Sequence, residues 1–219
     1  MRSTLITSIL FFILLTFSNP ASAYFHLEPS ISHTLVGSWE FDIGSTTGKN
    51  DASVLGLGLR IGYQSPGGFQ VGANFDIGVG GFESPIGDAD IVSVAPYLMV
   101  GYQFDFGLRG FLGISPTTYL AIDQNPLIGP DTNFLGYGIK IGGGYLIQEI
   151  IALNLYYKYN EFNDFETDGT DGFESLGSTD FRTFSVNFSV SFPFDFGGKK
   201  KSKAKINKEL TAPEKQEKK

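Results

Sequence analysis

The stretch Val54-Leu-Gly-Leu-Gly-Leu-Arg-Ile-Gly-Tyr-Gln64 decides how this chain is read. Leu55, Leu57, Leu59, Ile61 and Tyr63 share one parity, and Gly56, Gly58, Arg60 and Gly62 share the other. A strict period of two is an extended strand with two unlike faces. The polar face of a strand in a water-soluble β protein carries Lys, Glu and Thr; glycine there suits a cramped interior instead. The leucines must then face something other than water.

Working outward, the same alternation returns along the chain. One face continues through Phe25 to Leu35, Phe69 to Val79, Val92 to Phe104, Leu135 to Ile141, Ile151 to Tyr157 and Phe184 to Phe194, with no Asp, Glu, Lys or Arg on it. The other is small or polar: Gln70, Gly72, Asn74, Asp76; Gly136, Gly138, Lys140, Gly142; Thr183, Ser185, Asn187, Ser189, Ser191. Eight strands are predicted, near 25–43, 54–64, 69–80, 92–105, 108–115 or beyond, 135–146, 151–160 and 183–194. Short connections (65–68, 106–107, 147–150) alternate with long ones (44–53, 81–91, 116–134, 161–182). That alternation predicts an all-β, eight-stranded, antiparallel up-and-down transmembrane β-barrel, with tight periplasmic turns and long external loops. Pro96 and Pro116 lack the N–H a closed sheet needs, so each predicts a bulge or a shifted boundary.

Aromatic residues give a partly independent indication. Outward positions at the short-turn rim include Tyr63, Phe69, Tyr102, Phe104, Tyr145, Phe192 and Phe194; at the other rim they include Trp39, Phe41, Tyr137, Tyr157, Tyr159 and Phe184. Two girdles at headgroup level are expected, with aliphatic residues between them.

Composition agrees. Of 219 residues, 42% are hydrophobic and 15% aromatic, with 28 Gly and no Cys, which excludes disulfides, thiol chemistry and a lipid-bearing cysteine. Residues 1–23 read as an export signal cleaved after Ala23: Arg2, the apolar run Leu5 to Phe17, then Ala21-Ser22-Ala23. That run is shorter than the ~18 to 20 residues a membrane-spanning helix needs. Residues 24–198 carry net −14, whereas 199–219 carry nine Lys and three Glu. Residues 197–219 therefore read as a disordered, Lys-rich periplasmic tail, and 24–196 as the barrel. The tail is expected to be dispensable for folding. An acidic folded part argues against nucleic-acid binding, and Gly142-Gly143-Gly144 precedes no helix that would make it a phosphate loop.

Region 24–196 resembles the small OmpA-like eight-stranded outer-membrane β-barrels. Its last strand is similar to the terminal signal read by the barrel-assembly machinery, with Asn187 at the polar position and Phe192 and Phe194 at the hydrophobic ones. Ser189 stands where that signal prefers Gly, the chain runs on past Phe194, and Phe196 is an alternative end of the strand. The resemblance implies residence in the outer membrane of a diderm bacterium, contact with its lipid and insertion by the assembly machinery; it carries over no catalytic residue.

Glu28, Glu40, Asp42, Arg60, Asp76, Arg109, Lys140 and Lys158 fall on the inner parity. In a narrow lumen each needs a partner. Aligned strand ends put Arg60 opposite Ser30 with Glu28 diagonal, and Lys140 near Lys158, so acids such as Glu40, Asp42 or Asp76 must reach across. The expected result is an ion-pair network filling the barrel, structural first and a gate for small ions second. Some barrels of this size act on lipid A through a histidine at the external rim; this chain has only His26 and His33, both in the other half of strand 1, so no Ser-His site is expected there. The acidic stretch Glu161 to Asp180 lacks the spacing of a Ca²⁺ loop and reads as solvated. Neither cofactor nor metal is expected, and the sequence assigns no partner to the loops. The reading is a non-enzymatic surface or structural barrel. Its alternatives are a narrow ion or small-solute channel, and a secreted soluble barrel that would bury Leu57, Val71 and Phe188 around an apolar ligand.

Overall fold

The computed structural model describes residues 23–43, 46–84, 87–124, 131–167, 172–177 and 180–196. The expected export signal, apart from Ala23, and the Lys-rich tail lie outside them. The strands are β1 (Tyr24–Ile43), β2 (Thr46–Gln64), β3 (Phe69–Ser84), β4 (Gly87–Gln103), β5 (Leu108–Gln124), β6 (Thr132–Ile147), β7 (Ile151–Thr167), β8 (Glu174–Ser175), β9 (Asp180–Ser191) and β10 (Phe194–Phe196). β1 to β7 pair in sequence order, all antiparallel. β9 pairs with both β7 and β1 and closes the barrel at eight staves. β10 carries the last stave on past Pro193 along β1, pairing Phe196 with Phe25, and β8 is a short addition to β7.

Tight turns at 65–68, 104–107 and 147–150 define one end, the turn end; the other is the loop end. At the turn end Gly68 and Gly107 adopt φ of 91° and 98°, a region that costs a Cβ-bearing residue energy. Gln148 and Glu149 take it nonetheless, as a two-residue hairpin following the strand twist demands.

Leu57 is 60% exposed on the outer wall, and Phe188 is exposed on β9, on the far side of β1. The reading as a soluble barrel with those residues inside is overturned. Along the stretch of β2 that opened the sequence reading, Leu55, Leu57, Leu59 and Tyr63 face out, while the glycines and Arg60 face in.

The strands run further than the alternation suggested. The spans 44–53, 81–91, 116–134 and 161–182, expected to be long loops, are largely strand. The sequence pattern was lost there because the faces exchange roles. Near the loop end the inward side chains are Trp39, Ala89, Ile91, Leu120, Ile122, Phe134, Phe162 and Phe181, one buried cluster. Outward positions at that level include Lys49, Asp51, Asp90 and Asp123. β1 is 20 residues long, whereas a tilted strand crosses a bilayer in ~9 to 11; the surplus is built as a soluble barrel is, with its grease inside.

Three bulges help make the exchange. Each inserts one residue and moves everything beyond it to the opposite face. In β1 the ladder to β9 shifts between Thr34 and Val36. In β5 it shifts between Ser115 and Thr118, and in β7 Asn163 is the extra residue between the pairs Gly136–Phe162 and Leu135–Asp164. The β4–β5 ladder breaks between Val94–Tyr119 and Leu98–Ile114. Pro96 and Pro116 both lie inside that break, so two residues without an N–H face one interruption rather than each spoiling an intact ladder.

Candidate functional site

The lumen is the candidate site, and it is layered from turn end to loop end. First comes His26, whose Nδ1 is 2.7 Å from Asp195 Oδ1 and Nε2 2.9 Å from Glu28 Oε2. The next layer centres on Glu28. Arg109 donates through Nη2 to Glu28 Oε1 at 2.5 Å and through Nη1 to Oε2 at 2.9 Å, a two-pronged pair. Arg109 also donates to Asn154 Oδ1 and Ser191 Oγ, and its side chain is 0% exposed. Arg60 Nη1 reaches Glu28 Oε2 at 3.3 Å, with its guanidinium 4.6 Å from the Phe111 ring centre.

A third layer centres on Asp76. Its Oδ2 accepts from Lys140 Nζ at 2.9 Å and lies 2.7 Å from Lys158 Nζ, and its Oδ1 accepts from Asn74. Lys140 Nζ lies 4.2 Å from the Tyr156 ring centre, and Tyr97 stands close by. The inward glycines make room for these rings: a Cβ on Gly142 would come 2.5 Å from the Tyr156 Cβ. Glycine opposite a large side chain lets eight staves enclose two tyrosines and two lysines.

Beyond the lysines a polar chamber of about 70 Å³ is lined by Thr34, Thr118, Asn160, Thr183, Ser185 and Asn187 and floored by Lys158 and Asp76. Since ~10 to 15 Å³ suffices for one water, it has room for several. Its ceiling is the apolar cluster, where Trp39 meets Phe181 edge-on at 5.7 Å and Phe181 meets Phe134 at 4.6 Å. The turn-end lumen is thus filled by ion pairs set among Tyr97, Met99, Phe111 and Tyr156, and the loop-end lumen by packed rings.

Of the eight charges read as inner, Glu28, Arg60, Asp76, Arg109, Lys140 and Lys158 meet in these two layers. Glu40 does not: the β1 bulge turns it outward, where Lys49 lies 3.4 Å away. Asp42 has its side chain outside the described residues. The register also differs from the aligned-ends reading, since Arg60 stands directly opposite Glu28, and Ser30 opposite Gly58. Lys140 does face Lys158, and Asp76 bridges them from β3.

The aromatic placements divide similarly. Tyr63, Tyr102, Tyr145, Phe192 and Phe194 face outward near the turn end, and Tyr137 and Tyr157 face outward toward the loop end. Trp39 is corrected: the bulge before it points the indole inward, 4% exposed, as part of the apolar ceiling. His26, Asp195, Asn154 and Ser191 were missed as network members. Parity alone puts His26 on the face of Glu28, two residues on; Asn154 and Ser191 could be placed only once β9 had closed against β7.

No curated protein matches the chain. Among solved structures it is similar to Neisserial surface protein A (NspA), at 16% identity over 78% of this chain and 97% of that one, with a TM-score of 0.45. It is also similar to Ail, the attachment invasion locus protein of Yersinia pestis, in complex with the heparin analogue sucrose octasulfate, at 12% identity, 78% and 99% coverage and a TM-score of 0.47. For the outer membrane protein OprG from Pseudomonas aeruginosa the figures are 14%, 79%, 96% and 0.46. Residues 7–192 match the family described as outer membrane protein beta-barrel domain. With eight staves closed around a filled lumen and an apolar outer wall in the turn-end half, the chain belongs to that family: it is a transmembrane β-barrel of the outer membrane of a Gram-negative bacterium.

Proposed function

We propose that this barrel conducts no solute and performs no catalysis, and that it serves as a stable outer-membrane platform displaying an extended rim at the cell surface. One observation carries this reading: the interior is occupied at both levels, by ion pairs around Glu28 and Asp76 and by the rings around Phe181. Filled lumens are what eight strands permit. With the turn end in the periplasm, the loop end stands clear of the bilayer and presents acids such as Asp51, Asp90 and Glu174 to the medium. A surface-interaction role at that rim follows.

The histidines support a non-catalytic role. His26 is buried between two carboxylates, and His33 points to lipid. Export with cleavage after Ala23, and insertion by the barrel-assembly machinery, belong to the same reading. Its support is the outward row Phe188, Phe192, Phe194 and Phe196 at the end of the last stave.

The competing channel reading rests on the polar chamber. Planar-bilayer recording of the refolded mature chain separates the two: a closed platform gives no steady unitary steps, whereas large nonselective conductance overturns it.

A further inference from the structure

Among the described residues, the two buried lumen layers hold two carboxylates, Glu28 and Asp76, against four cations, Arg60, Arg109, Lys140 and Lys158. Each acid is shared by two bases. His26 bridges Glu28 and the half-exposed Asp195 at the rim; counted as a protonated imidazole against the Asp195 carboxylate, that pair is neutral and leaves the balance of the two layers unchanged. The excess is therefore two positive charges in a folded part whose net charge is strongly negative. Ring faces of Phe111 and Tyr156 lie against Arg60 and Lys140; they attract cations but bring no formal charge. Buried cations without a counter-charge are costly.

The geometry supplies a place for one. Between the layers lies a small cavity of about 10 Å³, bordered by Arg60, Lys140, Ser30 and Asn74, with Glu28 on one wall. It is about the room of one water, so a halide in that place displaces the water and needs the lining side chains to give by a few tenths of an ångström. Arg60 is nine-tenths buried, and its Nε is a buried donor without an acceptor. A cavity lined by one cation from each over-subscribed carboxylate, one of them carrying a guanidinium N–H without an acceptor, is an anion site in its donor chemistry.

We propose that the lumen holds one small monovalent anion of chloride size between the Arg60 guanidinium and the Lys140 ammonium. The anion supplies the acceptor that Arg60 Nε lacks and lowers the charge excess from two to one. It locks the Glu28 and Asp76 layers together as a structural ion, without requiring passage through the barrel.

The test uses the mature full chain refolded in detergent. Crystals grown in sodium bromide and measured at the bromine edge are expected to show an anomalous peak between Arg60 and Lys140; a lumen with water alone at that place overturns the proposal. In solution, the urea midpoint is expected to be higher in sodium chloride than in sodium gluconate at equal ionic strength. Lys140→Met should weaken the apparent chloride affinity by roughly ten- to a hundredfold, and Arg60→Gln should abolish the chloride effect. Equal midpoints in the two salts, or a chloride effect that survives Arg60→Gln, overturn it. Should either variant fail to refold, the bromide map of the unaltered chain still decides.

Discussion

The turn-end half of this barrel and its loop-end half are made from the same eight strands, yet they are packed inside out relative to each other. Around Leu57 and Ile77 the outer wall is aliphatic and the lumen holds Arg109, Glu28, Asp76 and Lys140. Around Trp39, Ile91 and Phe181 the lumen is apolar, and Lys49, Asp51 and Asp90 face out. The solvent outside explains both arrangements. In hydrocarbon the outer wall gains nothing from polarity, and the inner groups satisfy one another; in water the hydrophobic effect drives the grease inward. One polypeptide thus carries two cores held by different forces. Three inserted residues, in β1, β5 and β7, help carry the chain across the change of solvent.

The strongest way to break this comparison is to remove the centre of each core. Glu28→Leu leaves Arg109 and Arg60 without their shared carboxylate and should cost about 3 to 5 kcal/mol. Phe181→Ala empties the centre of the ring cluster and should cost a similar ~3 to 5 kcal/mol. Urea unfolding, followed by heat-modifiable gel mobility, measures both. A small loss in either variant would show that its half adds little to stability.

A second test sharpens the contrast on the outer wall of a single strand. Leu57→Arg should cost about 2 to 4 kcal/mol if that site lies at midplane, whereas Ser53→Arg, two outward positions further along β2, should cost only about 0 to 1. Equal costs would place both residues in the same solvent and erase the boundary drawn between them.

The smallest effect lies at the turn end, which should be indifferent to both cores. Glu149 adopts φ of 62°. Glu149→Gly should relieve that strain and raise stability by about 0.4 to 1 kcal/mol, read as a higher urea midpoint. A lower midpoint would mean that the Glu149 side chain contributes more than its backbone costs.

Much of the bilayer half was legible in the sequence. In β2 and β3 the period of two runs unbroken from Val54 to Gly80 apart from one tight turn, so the faces of Leu57, Arg60 and Asp76 followed from counting. The loop-end half was not legible in the same way. Counting by twos through Leu35 and Val36 put Trp39 outside and Glu40 inside; the bulge reverses both. Stopping β5 at Pro116 hid Thr118, Leu120 and Ile122, because the break that accommodates the proline belongs jointly to β4 and β5. The site divided along the same line. Six charges fell on the right face by parity, but their partners depended on register, and Arg60 moved from opposite Ser30 to opposite Glu28.

Local alternation, turn residues and girdle aromatics were therefore enough to determine that the chain forms eight staves with an apolar wall turned to lipid, because a side chain's face depends on its neighbours two positions away. Which side chains meet across the lumen was decided only by closure. Arg109 and Glu28 are 81 positions apart in sequence and come within 2.5 Å because β5 and β1 look at each other across the barrel. The inversion at the loop end was likewise a tertiary outcome, since a bulge exists only in relation to the strand it pairs with, and one extra residue exchanges inside for outside.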